Sequence, residues 1–344
     1  MKALAAKRPR EMELRLRRLK VLLLSGAAVM GGLFVVSILA GRRIERLAPP
    51  QGDLLVAAGR RLHYLDRGAG PPVVLIHGLG GQLGNFAYAL VERLSQRFRV
   101  VAFDRPGSGY SPRRAGEAAG VRAQADAIAG AIRELKLERP VVVGHSLGGA
   151  VALALALDHP DCVGALALIS PLTRPEHKPP LAFKALGIRS PLLRRLVYWT
   201  IATPASLMMR NWTFNRVFAP ETPPPDFGRN AGGLLAIRPN NIHASSEDMN
   251  AVNDDLVALA SRYPSVRMPV GVLFGRDDAI LDPREHGERM RKEIPSLDLE
   301  FIPGGHMLPV TRPDATAAFI ARMAEKIASS VSAGSPVTSP AQAG

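Results

Sequence analysis

Residues 141–151 read VVVGHSLGGAV. The three consecutive valines have the unbroken β-branched character of a strand covered on both faces, and from Leu147 the Ala/Leu spacing of LGGAVALALALDHP is that of a packed helix. Ser146 stands at the corner between them, inside a G-x-S-x-G pattern. Five residues of that kind recur by accident in chains of this length, so the context decides the reading. A direct strand-to-helix turn forces its central residue into strained backbone. Gly144 and Gly148 remove the side chains that would collide there, and the serine hydroxyl is lifted above the sheet beside the N-terminus of the new helix.

Around this corner, strand-like and helix-like segments alternate. Strand patterns occupy 61–66, 72–77, 98–104, 140–145, 163–170, 269–275 and 297–304, and helix patterns lie near 86–95, 121–137, 147–158, 284–293 and 313–331. The alternation predicts an α/β fold: a mostly parallel central sheet with helices on both faces, built from residues 54–170 and 269–331. Residues 171–268 break the rhythm. They contain no comparable strand but many prolines and apolar helical pieces such as PLLRRLVYWTIATPASLMM, and a structureless loop of that length is improbable. They are read as a helical cap over the C-terminal edge of the sheet. The segment 332–344, rich in Ser, Pro, Gly and Ala and without periodicity, is expected to be a disordered tail.

The formal charge of +14 suggests a polyanion partner until it is located along the chain. Residues 1–48 alone hold a net +8, with eleven Lys/Arg against three Glu. This excess flanks an uncharged run, VLLLSGAAVMGGLFVVSILA at 21–40. About 20 residues at ~1.5 Å each cross a ~30 Å hydrocarbon core, so the run reads as a transmembrane helix after a basic segment 1–20 and before a linker 41–53. Eight basic residues precede it and only Arg42, Arg43 and Arg46 follow closely, which places the N-terminus in the cytoplasm and the larger domain on the opposite, extracytoplasmic or periplasmic, side. A cleaved signal peptide is the alternative. The run is long for one, and Ile38 would stand where a small residue is preferred before a cut after Ala40. With the basic cluster accounted for by the membrane, no nucleic-acid partner is expected. Ala27/Gly31 and Ala28/Gly32 have helix-pairing spacing but leave oligomerisation open. The single cysteine, Cys162, excludes an intrachain disulfide and a Cys-based zinc site, and no metal-ligand set or phosphate loop implies a metal or cofactor.

Five segments stand in a telling order: HGLGG (77–81), DRPGSGYS (104–111), GHSLGG (144–149), GRDD (275–278) and GGHMLP (304–309). In these the chain resembles the cap-bearing α/β-hydrolases over roughly residues 54–327. The resemblance implies a serine hydrolase with Ser146 as nucleophile and His306 as general base and then general acid, in the chain order Ser…Asp…His. Spacing alone leaves Asp277, Asp278 and Asp282 open as the orienting acid, and the family's G-x-x-D pattern, carried over from Gly275, selects Asp278. It also implies that the backbone N–H groups of Leu79 and Leu147 form the oxyanion hole. A serine at this corner excludes the alkyl-enzyme chemistry of relatives that carry aspartate there. The expected reaction is hydrolysis of a carboxylic ester of a small, apolar acyl substrate. C–C bond hydrolysis by the same fold, and a catalytically silent membrane-tethered binding protein, are the alternatives. Trp199, Met208, Met209, Trp212, Phe214 and Phe218 either line an acyl pocket or pack the cap onto the sheet. Asn85 either orients a polar substrate group or caps a helix, and His77 and His145 are read as loop and elbow packing.

Overall fold

Each apolar run around Ser146 becomes a strand because both of its faces are covered. The computed structural model describes residues 2–176, 178 and 180–333; residues 334–344, most of the expected disordered tail, lie outside the described residues. In chain order the elements are α1 (Lys2–Leu47), β1 (Asp53–Ala57), β2 (Arg60–Arg67), β3 (Pro72–Ile76), α2 (Gly84–Ala87), α3 (Leu90–Ser95), β4 (Arg99–Phe103), α4 (Val121–Glu134), β5 (Val141–His145), α5 (Leu147–Asp158) and β6 (Ala165–Ile169). An insertion follows, with α6 (Pro191–Thr200), α7 (Ala202–Phe218), α8 (Phe227–Asn230) and α9 (Pro239–Ala260). The chain then returns through β7 (Val270–Gly275), α10 (Arg289–Glu293), β8 (Asp298–Ile302), α11 (Leu308–Thr311) and α12 (Pro313–Ala333).

The eight strands form one sheet in the order β1-β2-β4-β3-β5-β6-β7-β8, antiparallel at the β1/β2 and β2/β4 pairs and parallel elsewhere. Period-two alternation divides the core into two layers. Val74, Ile76 and Val142 face the side covered by α4 and α5, whereas Val73, Leu75 and Val143 face the side covered by α3 and α12. From Leu147 to Ala156 every residue of α5 is buried, which is why its apolar pattern runs all the way round. Strand β1 was not expected from the sequence. Leu54 and Val56 are exposed on this short edge strand, so it lacks the continuous apolar run that marked the others. The helical stretch expected at 86–95 divides into α2 and α3.

The strand order places the site. From β3 the chain moves outward to β4, then returns to the other side of β3 as β5, so the loops leaving β3 and β5 diverge at a topological switch point. HGLGG and Ser146 leave from those two strand ends, side by side.

Helix α1 is long and apolar enough to cross a membrane. It does not stop at Ala40. Residues 41–47, expected to begin a linker, continue the helix because its last turns are packed on the insertion. Ile44 is buried against Leu235 and Ile237, Ser37 Oγ donates to the Thr200 carbonyl at 2.7 Å, and Arg238 pairs with Glu45 at 2.8 Å. Tyr110 Oη closes the end of the helix by donating to the Ala48 carbonyl at 2.6 Å.

Candidate active site

The turn after β5 holds Ser146 at φ +54° and ψ −121°, a conformation that a side-chain-bearing residue adopts only under strain. Three backbone bonds impose it. Ser146 N–H donates to Ile169 O at 3.1 Å, and Ser146 O accepts from Gly149 N–H at 2.8 Å and Leu172 N–H at 2.9 Å. The two loops also approach too closely for side chains: a Cβ on Gly148 would strike the Ile76 carbonyl, and one on Gly78 would lie 2.9 Å from Ser146 Cβ. Leu147 is the first residue of α5, so its N–H has no intrahelical partner. Among the described residues neither that N–H nor the N–H of Leu79 donates a hydrogen bond.

The loops after β7 and β8 bring a carboxylate to an imidazole. Asp278 Oδ2 accepts from His306 Nδ1 at 2.8 Å, with the two side chains 0% and 3% exposed. Asp278 Oδ1 accepts from the N–H groups of Ile280 (2.9 Å) and Leu281 (3.0 Å), which locks the carboxylate. Burial alone would raise the Asp278 pKa. Attraction to His306, the hydrogen bond from it and the two backbone bonds outweigh burial and hold the carboxyl below its ordinary range. Asp277 is exposed, and Asp282 accepts from Arg284 N–H instead. Of the three carboxylates left open by spacing, Asp278 is the one at the imidazole. With Nδ1 engaged, Nε2 is the nitrogen left to exchange a proton.

His145 links the two halves. Its Nε2–H donates to the His306 carbonyl at 3.0 Å and its ring lies 5.0 Å from that of His306, so the residue before Ser146 fixes the backbone of the second histidine. Burial, aided by the neighbouring His306, lowers the His145 pKa to about 3, so the ring is neutral at physiological pH. His77 is also held neutral, by burial first and by the charge of Arg105 second. Its Nδ1–H donates to Gly78 O at 2.9 Å while Nε2 accepts from Arg105 N–H at 3.0 Å. Both histidines are structural supports of the loops they sit in.

Four charged side chains, Arg105, Arg113, Asp248 and Glu221, escaped the sequence reading. Arg105, fully buried in DRPGSGYS, donates from Nε to His77 O (2.9 Å) and from Nη2 to Gly78 O (2.8 Å), bracing the loop that carries Leu79. Its Nη1 meets Asp248 Oδ2 of α9 at 2.8 Å, and Arg113 takes the other oxygen of Asp248 at 2.5 Å. Burial lowers the Arg105 pKa and the Asp248 charge opposes that. Glu221, just after α7, accepts from Gly305 N–H at 3.1 Å and pairs with Arg312 at 2.8 Å, gripping the loop that carries His306. The insertion is thus tied to both sides of the Ser146 corner.

Two open readings are resolved. Asn85 lies within α2 and is not a helix cap; it tethers its loop by accepting from Gln82 N–H (3.2 Å) and donating to Ala231 O (3.0 Å). Phe218 is buried against Phe227, and Phe214 packs edge-on to the same ring, whereas Met208, Met209 and Trp212 are exposed. Those three pack nothing onto the sheet, because the face of α7 that carries them points away from it.

A serine on a strained strand-to-helix turn, beside a glycine loop and a buried Asp–His pair, defines the class of α/β proteins that act at the switch point of a parallel sheet. The chain matches the family model described as alpha/beta hydrolase fold over residues 71–313, and it belongs to that family. It is 32% identical over 255 residues, covering 71% of this chain and 86% of the relative, to a Caulobacter sp. (strain K31) protein that bears the provisional name carbamate hydrolase RutD. Among solved structures it is similar to a thermophilic esterase from Thermogutta terrifontis, with TM-score 0.66, 26% identity, and 80% and 99% of the two chains covered. It is also similar to a membrane phospholipase A described as a bacterial virulence factor, with TM-score 0.62, 25% identity, and 91% and 98% covered.

Proposed function

We propose that the chain is a membrane-anchored serine hydrolase that cleaves a carboxylic ester through an acyl-Ser146 intermediate. The observation that carries this reading is the buried Asp278–His306 pair, 2.8 Å apart, anchored beside the Ser146 corner through His145. His306 Nε2 takes the Ser146 proton as Oγ attacks the ester carbonyl, and Asp278 stabilises the imidazolium that forms. The oxygen of the tetrahedral intermediate, now negative, is met by the N–H groups of Leu79 and Leu147. Collapse breaks the C–O bond, and the proton on His306 leaves with the alcohol. Water, deprotonated by the same nitrogen, then attacks the acyl carbonyl and returns Ser146 to its starting state. The esterase among the solved relatives supports the ester substrate.

In this reading residues 171–268 form the cap and residues 21–40 anchor the enzyme, with the N-terminus cytoplasmic and the catalytic domain on the other side. The contacts of Phe34 and Ser37 with the insertion support retention of the anchor, since cleavage after Ala40 would strip the buried Ser37, its hydrogen bond to Thr200 and the Phe34–Trp199 ring contact from the folded domain. The test is a panel of p-nitrophenyl esters of increasing acyl length together with an amide and a dienone. An ester is expected to turn over fastest and S146A to abolish the activity, whereas faster turnover of the dienone would transfer the assignment to C–C hydrolysis.

A further inference from the structure

Helices α6 and α7 leave an apolar face without a partner. Leu192 and Met208 are 83% and 87% exposed, and Leu196, Ile201, Met209 and Trp212 are exposed with them. Leu192 and Leu196 are one turn apart on α6, and Met208 and Trp212 one turn apart on α7, so each pair shares a face. The surrounding charge has one sign. From Lys178 to Ala219 the chain carries seven Lys/Arg and no Asp or Glu.

The position of this face relative to the membrane follows from α1 and rests on the anchor reading. Phe34 and Trp199 have ring centroids 6.1 Å apart, and Ser37 bonds to Thr200 at the α6/α7 junction. Both α1 residues lie inside the uncharged run, whose last residue before the glycine and the arginines is Ala40. At ~1.5 Å per residue Phe34 is about 9 Å and Ser37 about 4–5 Å short of that end. The run of 20 residues is only just long enough for the ~30 Å hydrocarbon core, so there is no slack with which to lift those residues into water. Because α1 passes without a break to Leu47 and is pinned again by Glu45 and Ala48, the insertion cannot swing away on a linker.

We propose that the α6/α7 face is a second membrane-contacting surface, inserted into the headgroup–acyl boundary of the leaflet into which α1 emerges. Its occupant is the lipid bilayer. The computed offset matches the roughly 5–10 Å at which amphipathic helices lie in that boundary, and the acid-free basic segment complements anionic headgroups. The insertion tied to both loops of the site therefore sits at the depth where lipid ester groups are found.

The experiment uses the full chain with Cys162→Ser, in vesicles of phosphatidylethanolamine and phosphatidylglycerol, bearing one environment-sensitive fluorophore at L192C, M208C, V29C or E138C. Nitroxide lipids spin-labelled shallow or deep in the acyl chain serve as quenchers. Labels at 192 and 208 are expected to be quenched by the shallow nitroxide about threefold or more above the label at 138, which precedes β5 at the strand end opposite Ser146, while 29 is quenched by the deep one. If 29 is quenched but 192 and 208 behave like 138, the anchor stands and the proposal falls. If 29 is not quenched, the anchor reading fails and the proposal with it. A blue-shifted label at 192 and 208 that lipid nitroxides do not quench assigns the face to a second copy of this chain and also overturns the proposal.

Discussion

The sheet and the insertion bury different things. Strands β3, β5 and β6 and helix α5 enclose almost nothing but Val, Leu, Ile, Ala and Gly, so this half is held by the removal of apolar surface from water. The insertion keeps apolar packing of its own, such as Phe218 on Phe227, but it leaves Leu192 and Met208 outside while burying Arg238, Ser246 and Asp248. Burial of apolar side chains is non-directional and tolerant. Buried ions and amides are costly unless each partner is in place, and so they specify one arrangement of the insertion over the site. The sheet supplies stability, and the polar contacts of the insertion set the geometry of the loops around Ser146.

Five substitutions sharpen or break that contrast. The largest effect is expected from D278N, which keeps the shape but removes the charge that orients His306: kcat should fall about 10⁴-fold, against a change of less than about twofold for the exposed D277N, measured on the best ester. D248N comes next. It leaves Arg105 and Arg113 buried without their shared counter-charge, so stability should drop by about 3–5 kcal/mol and kcat by roughly 10- to 100-fold as the HGLGG loop loses its brace. The stability loss is read by urea unfolding in detergent and the kcat loss on the folded fraction. L153A, deep in α5, should cost about 2–5 kcal/mol of stability with kcat of the folded fraction unchanged. If D248N and L153A behave alike, the insertion is only ballast and the contrast fails.

The smallest effect is a slope. His145 titrates near 3 in the folded chain and near 6.5 when unfolded, so as pH falls between these values the unfolded state takes up the proton first and the fold loses stability. The loss is about 1.4 kcal/mol per pH unit for one such group. Asp278, lowered as a carboxylate, adds stability that is present above about pH 4 and lost as pH falls through its folded pKa. H145Q should therefore reduce the stability difference between pH 7 and pH 5 by about 2 kcal/mol, measured by urea unfolding at the two pH values.

What could be read in advance follows the same division. Val141–Val143, the glycines about Ser146 and the order of GRDD and GGHMLP are local patterns, and local patterns survive in a linear sequence. Strand-to-helix geometry at Ser146 follows from them, whereas the choice of Asp278 over Asp277 and Asp282 comes only with the family resemblance, because their spacing leaves all three open. Arg105 and Asp248 are 143 positions apart, and neither lies in a context that marks it as buried; SSEDMNAVNDD has the composition of a solvated helix face. Glu221 is equally silent, because it reaches the His306 loop through a backbone N–H of Gly305 and an ion pair with the distant Arg312, and neither contact is written in its local sequence. Met208 and Trp212 mislead in the other direction. An apolar residue in a helical segment normally marks packing, and here the face that carries them is bare. The continuation of α1 past Arg42 and Arg43 was hidden for a related reason, since charge ends the apolar run without ending the helix.

The central claim is that Ser146 is made nucleophilic by the His306–Asp278 pair. Reaction of the full-length protein with a fluorophosphonate, followed by mass spectrometry of the digest, tests it most directly. A single adduct on the peptide carrying Ser146, absent from S146A and strongly slowed in D278N, is the predicted result. An unmodified Ser146, or an adduct on another residue that persists in S146A, would contradict the account.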